Sequence, residues 1–172
     1  AEALDAALAK INEKVDYVVA EMSSYQCADC KYGVNIGVLL NLYPEHLQWH
    51  NSHERYYNDK LNMIALAEKK IFNDKDINTK IFADKFKAEK FNNNQGCHIK
   101  DGYFYDEEKR LFATDVLNLK GEHNAENACA VLQVIKILGF LPEECEQAFS
   151  SFQGLAHRLQ VVENKENIVW VD

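Results

Sequence analysis

Five short segments of this sequence carry side chains whose types and spacing could do chemistry. The first is Glu21-Met22-Ser23-Ser24-Tyr25-Gln26. A carboxylate followed by two hydroxyls suits a hard cation and phosphate oxygens; it equally suits a plain strand-to-loop transition. The second is Tyr43-Pro44-Glu45-His46, whose imidazole is either solvated or a ligand beside Glu21. The third is Lys60. At spacings of three and four it shares a helical face with Tyr56, Tyr57, Met63 and Ile64. Desolvation beside such a stripe favours a neutral amine, and a neutral amine can take up carbon dioxide as a carbamate, which turns a cation into an oxygen ligand. The bland alternative is a packed stem with its ammonium in water. The fourth segment is Gly121-Glu122-His123-Asn124-Ala125-Glu126-Asn127, where the Asn124 and Asn127 amides could face a ligand or simply cap a helix. The fifth is Gly154-Leu155-Ala156-His157-Arg158, where an Arg after a Gly-containing loop suits a phosphate clamp or is an ordinary surface Arg.

Hydrophobic periodicity supplies the elements that must position these groups. Leu4, Leu8, Ile11 and Val15 recur at helical spacing, so residues 2–13 read as an amphipathic helix. Continuous apolar runs at 17–20 and 36–40 read as strands covered on both faces, as in a parallel sheet. A loop is expected over 41–51. A helix is expected over 53–69, with Asn51 and Glu54 as its capping box. Glu21 and His46 then follow adjacent parallel strands and reach one crevice beyond their carboxyl ends. Residues 71–119 read as short β-prone pieces, with Asp101-Gly102 as a hairpin turn. A helix over 124–138 should bury Ala128, Val131, Leu132, Ile135 and Leu138 and close at Gly139. Pro142 starts a short helix, and 158–162 and 168–171 are β-prone. The alternation implies an α/β fold with a mainly parallel sheet flanked by helices and a small additional hairpin region. No repeat, linker or internal boundary is visible.

Composition narrows the function classes. The 172 residues can bury a sizeable core. The net charge of -8 argues against gripping nucleic acid by general electrostatics. No apolar run reaches the length of a membrane span, and no signal peptide is visible. Five cysteines at irregular spacing argue for free thiols in a reducing cytoplasm. Cys27-Ala28-Asp29-Cys30 is a CxxC, but no second pair stands at zinc-ribbon spacing. His50 and His53 are expected to face solvent.

Taken in order, the five segments resemble the Mur ligases, and within them the branch that adds D-glutamate. The Glu-x-Ser-Ser-aromatic-Gln motif is Glu21 to Gln26. The Asn-x-x-x-acid-His stretch is Asn41 to His46, with Lys60 fourteen residues on. The Gly-x-His-Asn-x-x-Asn motif is Gly121 to Asn127, and Gly-Leu-x-His-Arg is Gly154 to Arg158. The resemblance implies residues 1–172 as part of the central ATP-binding domain of an ATP-dependent amide ligase in the cytoplasm, acting as a monomer. Its implied substrates are ATP, UDP-N-acetylmuramoyl-L-alanine and D-glutamate, with Mg2+. By the same resemblance, Glu21 binds one magnesium, and His46 and a carbamylated Lys60 help hold a second. These three are the catalytic set. Ser23 and Gln26 contact the UDP-sugar substrate, and His157 lies close by. Asn127 bonds the adenine with support from Asn124, and Arg158 meets the ATP phosphates.

The sequence also departs from the family. It holds no G-x-x-x-x-G-K-[ST] phosphate loop, and the family's uridine-binding and glutamate-binding domains are missing from it. The chain begins at Ala1 and ends in an apolar run, so it reads as a piece of a longer protein, inactive alone. Three alternatives stand beside this reading: another member of the superfamily such as a folylpolyglutamate synthetase, a non-catalytic degenerate nucleotide fold, or a thiol module built on Cys27 and Cys30.

Overall fold

The computed structural model describes residues 15–119 and 121–154 with their side chains, and 161–165 and 168–171 as backbone. The packing divides the chain into two compact units, one formed by Ala1–Gly37 and Leu42–Lys70, the other by Val38–Asn41 and Ile71–Asp172. Composition gives no hint of this division, because it falls inside strands rather than in a linker.

The first unit is mostly helical. Helix α1 is Ser24–Ala28, α2 is the single turn Leu47–His50, and α3 is His53–Leu66. Ser52, not Asn51, caps α3: its hydroxyl accepts from the Arg55 N–H, while Asn51 sits in left-handed backbone at φ 65. The helix stops at Leu66 because Lys69 already belongs to the next strand. Its buried residues Tyr56, Leu61 and Ile64 face inward, and α1 and α2 pack on it. Strand β1, Ile36–Leu39, approaches the end of α3 closely at Gly37; a Cβ there would lie 2.9 Å from the Ala67 methyl, so only Gly fits.

Two expectations fail here. Residues 17–20 join no sheet among the described residues, and Val19 is 97% exposed. An apolar run becomes a strand only where a neighbour completes its ladder, and none of the described strands lies alongside. Among the described residues Glu21 therefore does not follow a sheet strand. The expected loop over 41–51 contains α2, which needs left-handed residues at both ends, His46 at φ 54 and Asn51 at φ 65.

The second unit carries β2 (Lys69–Asn73, entered from the first unit), β3 (Glu89–Phe91), and the antiparallel set β4 (Cys97–Lys100), β5 (Tyr103–Asp106) and β6 (Lys109–Ala113). One sheet has the order β1-β2-β3, in which β2 and β3 pair parallel with Ile71 opposite Glu89 and Asn73 opposite Phe91. Between β2 and β3 lies a helix the sequence reading takes as β-prone: α4, Ile77–Lys85. Its Ile and Thr content suggests strand, but Asp76 caps it by accepting from the Thr79 N–H at 2.7 Å, and Ile77 and Ile81 turn outward. Asp101 (φ 50) and Gly102 (φ 77) form the expected two-residue hairpin between β4 and β5. Helix α5 is Glu122–Ile137, starting two residues before the expected point, and Gly139 (φ 85) closes it. Its buried face is Ala128, Cys129, Ala130, Leu132 and Gln133. Val131 is exposed and Ile135 only half-buried, so the core face is rotated from the expected one. Gln133 lies on the buried face, where its Oε1 accepts from the buried Cys97 N–H at 3.0 Å. Pro142 opens a 3-10 turn that leads into α6, Glu146–Ser151. Strands β7 (Val161–Lys165) and β8 (Ile168–Val171) pair antiparallel. The expected helix over 2–13 lies outside the described residues. No helix among the described residues is long and apolar enough to cross a membrane.

Candidate functional site

Four of the predicted residues fall in the first unit's turn at the start of α1 or beside it. Ser23 caps α1 reciprocally with Gln26: the Gln26 N–H donates to Ser23 Oγ at 3.3 Å, and the Ser23 N–H donates to Gln26 Oε1 at 2.9 Å. This box fixes the direction in which the chain enters α1, and Glu21, exposed, stands two residues ahead of it. The other end of α1 is held from α3. Asn62 Nδ2 donates to the carbonyls of Cys27 and Cys30, both at 2.9 Å, and sits 3.4 Å from that of Ala28. One amide thus ties down the end of α1 and the chain just beyond it.

His46 opens α2 with its side chain 54% exposed. Its ring lies 5.2 Å from the Tyr25 ring, centroid to centroid, so the Glu21–Gln26 turn and the His46 loop meet. Lys60 is half-buried on α3, one residue from Asp59 and two from Asn62. Its charge acts on Cys27. Burial pushes the Cys27 thiol up, and the Lys60 ammonium opposes that rise. Cys27 is buried and Cys30 donates its thiol to the Tyr32 carbonyl at 3.2 Å; both are free.

The centre of this unit is a residue the sequence reading misplaces. His50, expected in solvent, is fully buried. Its Nδ1 lies 2.7 Å from Asp59 Oδ2 and its Nε2 lies 3.0 Å from Ser24 Oγ. Tyr25, Trp49 and Tyr56 surround the ring. An imidazole can be buried when both nitrogens are bonded; the signal in the sequence was an Asp nine residues on, on the helix that α2 packs against.

Among the described residues no three His, Cys, Asp or Glu side chains close on one point. Magnesium does not require it, since it keeps waters and substrate oxygens and takes one or two protein donors. An exposed carboxylate at Glu21 fits that pattern, Lys60 as a carbamate would supply oxygen, and the His46 imidazole is a nitrogen donor outside it.

In the second unit, Asn124 and Asn127 lie on one stripe of α5 with Ala128, Val131 and Ile135. The stripe lines a groove of about 460 Å³ whose opposite wall includes Leu117 and Phe149. This explains the rotated helix face: side chains expected in the core border the groove instead. Lys75 is held charged by hydrogen bonds from its ammonium to Glu122 first and to Glu126, both on α5. His157 and Arg158 lie outside the described residues.

Comparison with known proteins adds the following. Residues 3–135 match the Mur ligase middle domain. A UDP-N-acetylmuramoyl-L-alanine--L-glutamate ligase of Xylella fastidiosa (strain Temecula1) is 33% identical over 163 residues, 91% of this chain and 35% of the relative. One from Xanthomonas oryzae pv. oryzae is 34% identical over 162 residues. A UDP-N-acetylmuramoylalanine--D-glutamate ligase of Alkaliphilus metalliredigens is 32% identical, across 91% of this chain and 38% of the relative. The chain thus spans little more than a third of the length of these relatives. Among solved structures, a MurF ligase from Thermotoga maritima in complex with ADP superposes with a TM-score of 0.58 at 17% identity, covering 80% of this chain and 35% of that one. A pseudomurein peptide ligase type C from Methanothermus fervidus gives 0.60 at 15%, covering 81% and 38%. These two show a shared fold.

Proposed function

The chain belongs to the Mur ligase family, and from that premise we propose that it forms the middle part of a cytoplasmic, ATP-dependent ligase that joins glutamate to UDP-N-acetylmuramoyl-L-alanine. The observation that supports this reading is the meeting of the Glu21–Gln26 turn and His46 through Tyr25, on a unit that also carries Lys60.

The reaction has two steps. The alanyl carboxylate attacks the γ-phosphorus of ATP, releasing ADP and forming an acyl phosphate. The glutamate amine then attacks the acyl carbon, and the tetrahedral intermediate expels phosphate to leave the amide. Phosphoryl transfer of this kind rests on positioning and charge neutralisation, and bound magnesium would supply the neutralising charge. Glu21 would hold one ion, His46 and carbamylated Lys60 another. Ser23 and Gln26 would meet the UDP-sugar substrate; the capping box occupies Gln26 Oε1, which leaves the Nε2 amide to donate. The apolar groove bordered by Asn124 and Asn127 has room for a purine, with Asn127 bonding its edge and Asn124 supporting it. Arg158 would meet the phosphates, with His157 nearby. The protein would act as a monomer, without nucleic acid or membrane.

The motif pattern favours D-glutamate as acceptor. A second reading, L-glutamate, is favoured by the names of the Xylella and Xanthomonas relatives. The test supplies the full-length protein with UDP-N-acetylmuramoyl-L-alanine, ATP, Mg2+ and one amino acid at a time. Product with either glutamate enantiomer supports the reading and names the acceptor. Product with meso-diaminopimelate or L-lysine, or polyglutamylation of folate, would overturn it. Lys60→Ala should abolish the activity and acetate should partly restore it; a fully active variant removes Lys60 from the mechanism. The 172-residue chain alone should be inactive.

A further inference from the structure

We infer that His50 is a positioning residue that ties together the three segments bearing Glu21, His46 and Lys60; this rests on the ligase reading above. The argument is geometric. Through Nε2 the ring holds Ser24, the first residue of α1, and so fixes the turn that carries Glu21. Through Nδ1 it holds Asp59, the neighbour of Lys60 on α3. Through its own backbone it belongs to the single turn that begins at His46, its N–H donating to the His46 carbonyl at 3.1 Å.

The polarity of the relay follows from the partners. The Asp59 carboxylate only accepts, so Nδ1 carries the proton. With the ring neutral, Nε2 accepts from the Ser24 hydroxyl. The order acid–imidazole–alcohol matches the one that activates a serine nucleophile in hydrolases, but here Ser24 is 4% exposed and no substrate carbon can reach it. What remains is orientation: both ends of the relay are fixed, and each lies within three residues of a proposed magnesium donor. Arg55, 3.8 Å from Asp59 through Nε, steadies the carboxylate from the same helix.

The experiment uses the full-length protein and measures Mn2+ binding by electron paramagnetic resonance in the presence of a non-hydrolysable ATP analogue. Groups that orient metal ligands typically change affinity by about 10- to 100-fold when lost. Ser24→Ala should therefore weaken Mn2+ binding roughly 10-fold, while Asp59→Asn, which keeps an acceptor oxygen for Nδ1–H, should weaken it less than about 3-fold. The magnesium concentration for half-maximal ligase velocity should rise in parallel, with kcat at saturating magnesium nearly unchanged. A merely structural role would lower the active fraction and leave the magnesium requirement alone. Imidazole 15N shifts in the wild type should show a protonated Nδ1 and a bare Nε2, and this holds as a test even if Ser24→Ala fails to fold. The opposite tautomer, or Mn2+ affinity unchanged in folded Ser24→Ala, overturns the inference alone. A wild type that binds no Mn2+ with the nucleotide analogue overturns the ligase reading and this inference together.

Discussion

In the second unit Phe104 rests edge-on against Phe112, 5.3 Å between centroids, and Phe149 closes the triangle, stacked on Phe104 at 6.2 Å and 5.7 Å from Phe112. In the first unit the equivalent central place is taken by an imidazole between an alcohol and a carboxylate. The two solutions differ in what they specify. Packed phenyl rings supply burial without direction, and a core of this kind accepts substitutes of similar volume. A buried relay supplies less burial but has only one arrangement in which every donor meets an acceptor. The unit with the candidate magnesium donors uses the directional device, and the unit with the apolar groove uses the rings.

Substitutions can break this contrast, beginning with the largest effect. Phe104→Ala should cost about 3–5 kcal/mol, the usual range for an aromatic deleted from a close-packed core, read from urea unfolding midpoints. A loss under about 1 kcal/mol would mean that the rings are not the second unit's core. His50→Ala leaves Asp59 and Ser24 without their His50 bonds, a cost of about 2–3 kcal/mol for a half-buried charged acceptor and a buried hydroxyl. His50→Phe, which restores bulk but not bonds, should recover little of it. If it recovers most, the first unit is held by burial after all and the contrast disappears. Asn62→Ala should cost about 1–2 kcal/mol by exposing the carbonyls of Cys27 and Cys30, and amide exchange should speed in α1 before it does in β4. Lys109→Ala removes an exposed ion pair with Glu143 and should change stability by less than about 1 kcal/mol, an effect that salt abolishes.

The sequence showed more of the second unit than of the first. The hairpin at Asp101-Gly102, the helix ending at Gly139 and the Pro142 turn follow from local chemistry, and local chemistry is visible in one chain. Helix α4 was hidden because its composition favours strand and its cap, Asp76, outweighs that preference. In the first unit the motif residues were legible, but their setting was not. His50 looks like a loop residue until α2 and α3 are folded together, since its partners stand 26 residues before it and nine after it. Likewise Tyr17, Val18 and Val19 have the composition of a strand, yet composition cannot say whether a neighbour lies alongside.

Because His46 lies in left-handed backbone, a mutational scan at that position would report two properties at once. Valine or isoleucine there would fail for steric reasons, since β-branched side chains seldom adopt positive φ. Asparagine tolerates the same backbone and removes only the imidazole. The fitness gap between Asn and Val at 46 then measures what the backbone demands, and the gap between His and Asn measures what the ring contributes.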